Sequence, residues 1–310
     1  MTARILTGLS LEDYFADNLG IPDMPPTLSA SIAKKLVEQT PEQARLAHSR
    51  LRTPEESIEM GQDQTAAKRR GTLFHRLVLK KGGDLVLIDA KKKDGSPATD
   101  YKTVAAQEQR DKAEAEGKIA VFPEQLAKAQ KSADRITARL HDLGIDLDGE
   151  SEVCVTWEET ADDGTVVHCR GMLDHLRPHL AQCVDLKTTD DPSQDTCERH
   201  VDSYAHDIQE AAYTSALRHL YPDREPDFVF AFMDPNPPNI VSLAEIDGIG
   251  RHYGREKWLY AVNAWAAHLK SGVWPAYYSK TRMRLETKPW ARTKWENRKS
   301  ELGWDGLRPT

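Results

Sequence analysis

The run Cys169-Arg170-Gly171-Met172-Leu173-Asp174 and, after a polar break at Arg177-Pro178-His179, the run Val184-Asp185-Leu186-Lys187-Thr188-Thr189 decide the fold of this chain. Both flanks are apolar and β-prone, so they read as two antiparallel strands joined by a hairpin. Side chains two apart on a strand share a face, which puts Asp185 and Lys187 together. If Asp174 faces Asp185 across the pair, Leu176 faces Cys183 and six residues close the loop. One sheet face then carries two carboxylates and an ammonium at its rim, amid apolar neighbours. The plain alternative is a salt-bridged group at a sheet edge, because Asp-x-Lys is a common string.

Upstream, Val153, Val155 and Trp157 alternate with Glu152, Cys154 and Thr156, the pattern of a strand with one polar edge. Asp162-Asp163-Gly164 is a turn, and the next strand runs from Val166 to Leu173. Gly171 within that strand predicts the close approach of another backbone or a ligand. Downstream, a polar loop over 190–201 leads to a helix over 204–220, with Gln209 and Tyr213 one turn apart. Strands over 227–233 and 240–246, a helix over 251–269 and a basic, Trp-rich tail follow. Before the strands, residues 65–80 form a helix with Leu73, Phe74, Leu77 and Val78 on one face and His75 beside them. A lone His there is more often a core or rim residue than a ligand. Residues 85–88 give one short strand ahead of an exposed basic loop, and 104–143 are helical with breaks near Gly117 and at Pro123. Residues 1–27 read as an irregular arm. A helix then opens at Ser29 or Ser31, and Thr40-Pro41 ends it and starts another. The chain is expected to be one α/β domain over 1–310. Its arm and first helices take 1–64, its core 65–247, and its last helix and basic tail 248–310.

With 39% hydrophobic and 29% charged residues in 310, the composition is that of a soluble globular protein. There is no run of 18 apolar residues to span a membrane, and the N-terminus lacks the apolar core of a secretory signal. A cytoplasmic location is therefore expected. Cysteines at 154, 169, 183 and 197 form no CxxC pair and read as buried free thiols; an iron–sulfur cluster is the rival. The net charge of −7 argues against a uniformly basic coat, but local patches set a binding field. Such patches lie at Lys68-Arg69-Arg70, at Lys91-Lys92-Lys93 and along 280–299, where Arg282 and Arg284 sit.

Carboxylates converging at a strand end suit Mg²⁺ or Mn²⁺, and without close Cys/His pairs zinc is a poor fit. A protonated Lys187 is no metal ligand, but it can orient a water or steady a developing negative charge. Metal, water and lysine together suit in-line attack on a phosphodiester. No nucleophile elbow or GxxxxGK[ST] phosphate loop is present.

The order Gly71-x-x-x-His75, Glu152 on a strand, Gly171-x-x-Asp174, Asp185-x-Lys187 and Gln209-x-x-x-Tyr213 resembles the RecB-type nuclease domain of the PD-(D/E)xK superfamily. Within it, the pattern is most similar to the nuclease of RecE (exonuclease VIII) and its phage relatives, over about 28–275. The resemblance implies a central mixed sheet flanked by helices, with helical additions at both ends. It also implies a metal-dependent exonuclease that digests linear double-stranded DNA from the 5′ end. The product would be a 3′ single-stranded tail for an annealing protein. His75, Asp174, Asp185 and the Leu186 carbonyl would hold Mg²⁺, with Mn²⁺ also accepted because of the imidazole. Lys187 would position the water, Glu152 would occupy an acidic family position, and Gln209 and Tyr213 would brace the site. The resemblance further implies a ring-shaped homo-oligomer threading duplex DNA, with Lys91, Lys92, Lys93, Lys102, Arg110, Arg282 and Arg284 as candidate phosphate contacts. A stand-alone enzyme from a phage or prophage in a bacterial host is expected. The alternatives are a structure-specific or single-strand RecB-type nuclease and a catalytically silent DNA-binding partner of a recombinase.

Overall fold

The residues from 150 to 188 fold as the three strands their alternation predicts. A computed structural model describes residues 3–59, 65–277 and 284–304. Ahead of the trio come β1 (Arg4–Leu6), α1 (Leu11–Ala16), α2 (Ala30–Glu38), α3 (Pro41–Ala47), α4 (Pro54–Glu59) and α5 (Ala66–Leu79). Then follow β2 (Leu85–Leu87), α6 (Val104–Ala115), β3 (Ile119–Val121) and α7 (Pro123–Asp142). The trio itself is β4 (Glu150–Thr160), β5 (Val166–Arg177) and β6 (Gln182–Thr188). After it come α8 (Gln194–Tyr204), α9 (His206–Leu220), β7 (Asp227–Met233), β8 (Val241–Ala244) and α10 (Gly248–Ser271). The contacts divide the chain into two units, 1–274 and 275–310, and the second holds α11 (Pro289–Glu301).

In the first unit, six strands form one mixed sheet in the order β1-β4-β5-β6-β7-β8, with β6 and β7 parallel and the other neighbours antiparallel. Strand periodicity sorts the apolar side chains onto two faces. Val153, Val155, Trp157, Phe228, Phe230 and Phe232 pack with α2, α9 and α10. Val184, Leu186, Ala231 and Met233 pack instead with α5 and α7. Burying large side chains such as Trp157, Trp258 and Trp265 is worth roughly 1.5–3 kcal/mol each, which fixes which helix covers which face. All four cysteines are free and buried, the first of the two readings their spacing allowed. Among the described residues no helix is long and apolar enough to cross a membrane.

The fold departs from the sequence reading in five places. The arm over 1–27 is not irregular throughout, since β1 pairs with β4 and covers that sheet edge, and α1 is capped by the Ser10 hydroxyl. The break near Gly117 holds β3, three residues long, which pairs in parallel with β2; a run that short carries no detectable period. The polar loop over 190–201 is largely α8, whose single buried residue, Cys197, leaves almost no apolar stripe to read. Its start is organised by Asp191, which accepts from the Ser193 amide and the hydroxyls of Ser193 and Thr196. The β5–β6 ladder extends to Arg177–Gln182, so four residues rather than six close the hairpin, within a short 3₁₀ turn over 178–180. The basic tail forms a helix with no buried residue.

Candidate active site

Register places the acidic pair. His175 faces Val184 and Leu176 faces Cys183 across β5 and β6, the alignment that sets Asp174 beside Asp185. The backbone ladder then stops. Leu173 and Leu176 lie three apart yet enter the same core cluster, so strict alternation fails between them. Where the strands part, the Leu186 amide donates to Asp174 Oδ2 at 2.8 Å, a side chain replacing a missing backbone acceptor. Across the sheet, Glu152 on β4 lies opposite Asp174 but outside the ladder, its backbone in the left-handed region with φ of +48°. A bulky residue held there is strained by about 1–3 kcal/mol, the kind of cost that clusters at functional sites.

Asp185 and Lys187 share a face, as the i, i+2 spacing requires. The Lys187 ammonium forms an ion pair with Asp185 Oδ2. Gln209, in the first turns of α9, joins both: its Nε2 donates to Asp185 Oδ1 at 2.7 Å, and its Oε1 accepts from Lys187 Nζ at 3.1 Å. His75 comes in from α5 with Nδ1 at 3.7 Å from Asp174 Oδ2. That approach depends on Gly71 one turn earlier, where a Cβ would stand 3.1 Å from Thr188 Oγ1 at the end of β6. Tyr213 sits one turn beyond Gln209 but lies in the core, its ring packed on Gly171. A Cβ at 171 would meet Tyr213 Cε1 at 2.8 Å, so the group that comes close is an aromatic side chain rather than the backbone or ligand expected at a strand glycine.

The electrostatics follow from burial. Asp185 is 1% exposed, and desolvation pushes its carboxyl up, opposed by Lys187 and reinforced by Asp174. Desolvation also pulls Lys187 down, but the Asp185 and Asp174 charges outweigh it and keep the amine charged. Burial, with Asp174 adding, raises Glu152. Lys187 thus faces Asp185 and Asp174 together, and of the site's carboxyl groups Asp185 and Glu152 are disfavoured as anions.

A divalent cation would relieve that imbalance, and the donors suit one in kind: hard carboxylate oxygens with one imidazole. Asp185 Oδ2 is buried without a hydrogen bond of good geometry, touched by the Lys187 ammonium where a cation would also bind. As the side chains stand, no three His, Cys, Asp or Glu groups among the described residues converge closely enough to hold a metal. The residues fit the ion by donor type, and Lys187 must give way for it to reach Asp185.

In the first unit, Lys91, Lys92, Lys93, Lys102 and Arg110 are not drawn into this cluster. Lys91, Lys92 and Lys93 are exposed on their loop. Lys102 pairs with Asp100 at 3.0 Å, and Arg110 pairs with Asp111 at 2.7 Å and lies over the Tyr101 ring. Arg284 is exposed, and Arg282 lies outside the described residues. Sequence reading missed His206, three residues before Gln209 on the same helix. Burial holds its imidazole down at about 3, with the Lys187, His200 and Lys34 charges adding. Its spacing from Gln209 and Tyr213 was the available signal.

No curated protein matches the chain. Among solved structures, the crystal structure of a "Putative exonuclease" from Eubacterium rectale is similar at 13% identity, with a TM-score of 0.52. The match covers 93% of this chain and 98% of that one, and at this identity it shows a shared fold. The model of the PDDEXK-like domain of unknown function (DUF3799) matches residues 30–278, and the chain belongs to that family, with a fold of the PD-(D/E)xK nuclease superfamily.

Proposed function

We propose that this protein is a metal-dependent exodeoxyribonuclease that digests linear double-stranded DNA, 5′ to 3′, and leaves 3′ single-stranded tails for recombination. Its family and fold support hydrolytic nuclease activity as a class. The observation that carries the reading is the junction of Asp174, Asp185, Lys187 and Gln209 where β5 and β6 part, with His75 alongside. A divalent ion there, Mg²⁺ or Mn²⁺, would supply Lewis-acid polarisation of the phosphodiester and the attacking water. Lys187, kept charged, donates to negative charge developing on the phosphate. Gln209 bonds both the Lys187 amine and the Asp185 carboxylate, and its amide would keep Asp185 oriented when Lys187 gives way to the ion. The Leu186 amide holds Asp174, and the His75 imidazole, 3.7 Å from the same oxygen, would be a further donor to the ion.

The same reading makes the protein a ring-shaped homo-oligomer in a bacterial cytoplasm, working with a single-strand annealing protein. Exposed Lys91–Lys93 and Arg284 would be its phosphate contacts. The test is a time course on end-labelled linear duplex beside supercoiled circles, with Mg²⁺ or EDTA, for wild type and Lys187→Ala. Linear DNA should be consumed from its 5′ ends in Mg²⁺ alone, with circles intact and Lys187→Ala inactive. Cleavage of circles would make the enzyme an endonuclease, and undiminished activity in EDTA would remove the metal from the account.

A further inference from the structure

Next to the site, the corner between α8 and α9 carries rings that the reaction does not use. Ala205 turns the chain there with φ of +46°, a left-handed conformation that L side chains seldom adopt. The turn leaves Tyr204 pointing outward, 55% exposed. His206 stacks on it, with ring centroids 5.7 Å apart and planes 28° apart. His200, one turn back on α8, meets Tyr204 edge-on at 5.3 Å. Lys34 of α2 reaches across with Nζ 5.6 Å from the Tyr204 centroid and 3.4 Å from the Ser203 carbonyl, while also lying 3.6 Å from Glu38.

This shelf is continuous with the catalytic cluster. His206 packs on Phe230 with ring centroids 5.6 Å apart, and the Lys187 ammonium lies 5.9 Å from that same Phe230 ring. The exposed Tyr204 ring offers a flat π-face, and a base presents one of matching size. His206 is neutral at ordinary pH, so it adds a flat surface rather than a charge. The cation at the shelf's edge suits the phosphate attached to such a base.

We propose that Tyr204, backed by His206 and His200, is a stacking shelf for an unpaired nucleobase beside the scissile phosphate, with Lys34 contacting the neighbouring phosphate. The inference rests on the nuclease reading and adds where the strand runs as it enters the site.

The test uses the full chain in EDTA, where nothing is cut, and a single-stranded oligonucleotide carrying 2-aminopurine. Wild type and Tyr204→Phe should quench the probe and bind alike. Tyr204→Ala should lose the quench and bind roughly 5- to 150-fold more weakly, the usual range for one lost base–aromatic stack. Lys34→Gln should keep the quench but lower the slope of log affinity against log salt by about 0.7, one single-strand phosphate contact. Because Tyr204 is exposed, its variants should melt like wild type, and the melt is recorded alongside. If wild type cuts DNA in Mg²⁺ yet Tyr204→Ala binds and quenches unchanged, the shelf is refuted and the nuclease reading stands. If wild type neither binds nor cuts any DNA, both fall.

Discussion

Two buried polar clusters meet strand β5, four residues apart, and they are built in opposite senses. At Arg170 the carboxylate of Asp17 is saturated. It receives Arg170 Nη1 at 2.6 Å, the Thr27 hydroxyl at 2.5 Å, the Thr27 amide at 3.0 Å, and both His48 Nε2 and Arg50 Nη1 at 3.3 Å. Burial raises the Asp17 carboxyl, but these partners together outweigh it and leave it below the ordinary 3.8. At Asp174 and Asp185 the carboxyl groups outnumber the single ammonium, and burial pushes Asp185 up. The first cluster latches the N-terminal arm to the sheet, helped by the Leu28 amide donating to the His168 carbonyl and the Arg170 amide to the Leu28 carbonyl. The second leaves negative charge uncompensated, which costs stability unless a cation or substrate uses it. The contrast teaches that being buried and charged does not mark a site. What separates these two clusters is the direction in which burial and partners leave the carboxylate.

That contrast can be broken by mutation, and the largest effect should come from Lys187→Ala. Turnover of linear DNA per folded molecule should fall by ~10²–10⁴-fold, while loss of the amine beside buried Asp185 should also lower the melting transition, read by nucleotide release beside differential scanning fluorimetry. Asp17→Ala strands Arg170 in the interior and should cost about 3–5 kcal/mol in urea titration, with activity per folded molecule preserved. Gly171→Ala should cost about 1–3 kcal/mol by forcing Tyr213 to shift, and a crystal structure of the variant should show that ring displaced.

The smallest effect is a pH dependence. Asp17 binds its proton less readily folded than unfolded, so its contribution is complete above the ordinary value of 3.8 and is lost as pH falls through the lower folded value. The stability gap between wild type and Asp17→Asn should therefore shrink on acidification below pH 3.8 and stay flat above it. A gap that widened with acid would contradict the latch.

Much of the site could be read from the sequence because its cause is local. The i, i+2 spacing of Asp185 and Lys187 survives folding, and the turn spacing of Gln209 and Tyr213 delivers one side chain to the cluster and the other to Gly171. The hairpin register was only conditional in the sequence, and the pairing of Leu176 with Cys183 meets that condition. Other features depend on distant partners. Glu152 adopts a left-handed backbone outside the ladder, and no residue type announces it. Helix α8 lacks an apolar stripe and draws its start from the Asp191 side chain. Asp17 and Arg170 lie 153 residues apart, so nothing in either neighbourhood foretells their pairing. The parting of β5 and β6 at Asp174 is likewise visible only once the ladder is laid out.

The central claim is that the under-compensated carboxylates at 174 and 185 exist to hold a divalent ion. Mn²⁺ titration followed by electron paramagnetic resonance tests it most directly, on wild type, Asp174→Asn and Asp185→Asn at neutral pH. Saturable Mn²⁺ uptake by wild type that disappears in both variants, while the fold is retained, is the predicted result. Equal uptake by all three proteins, or none by wild type, would contradict it.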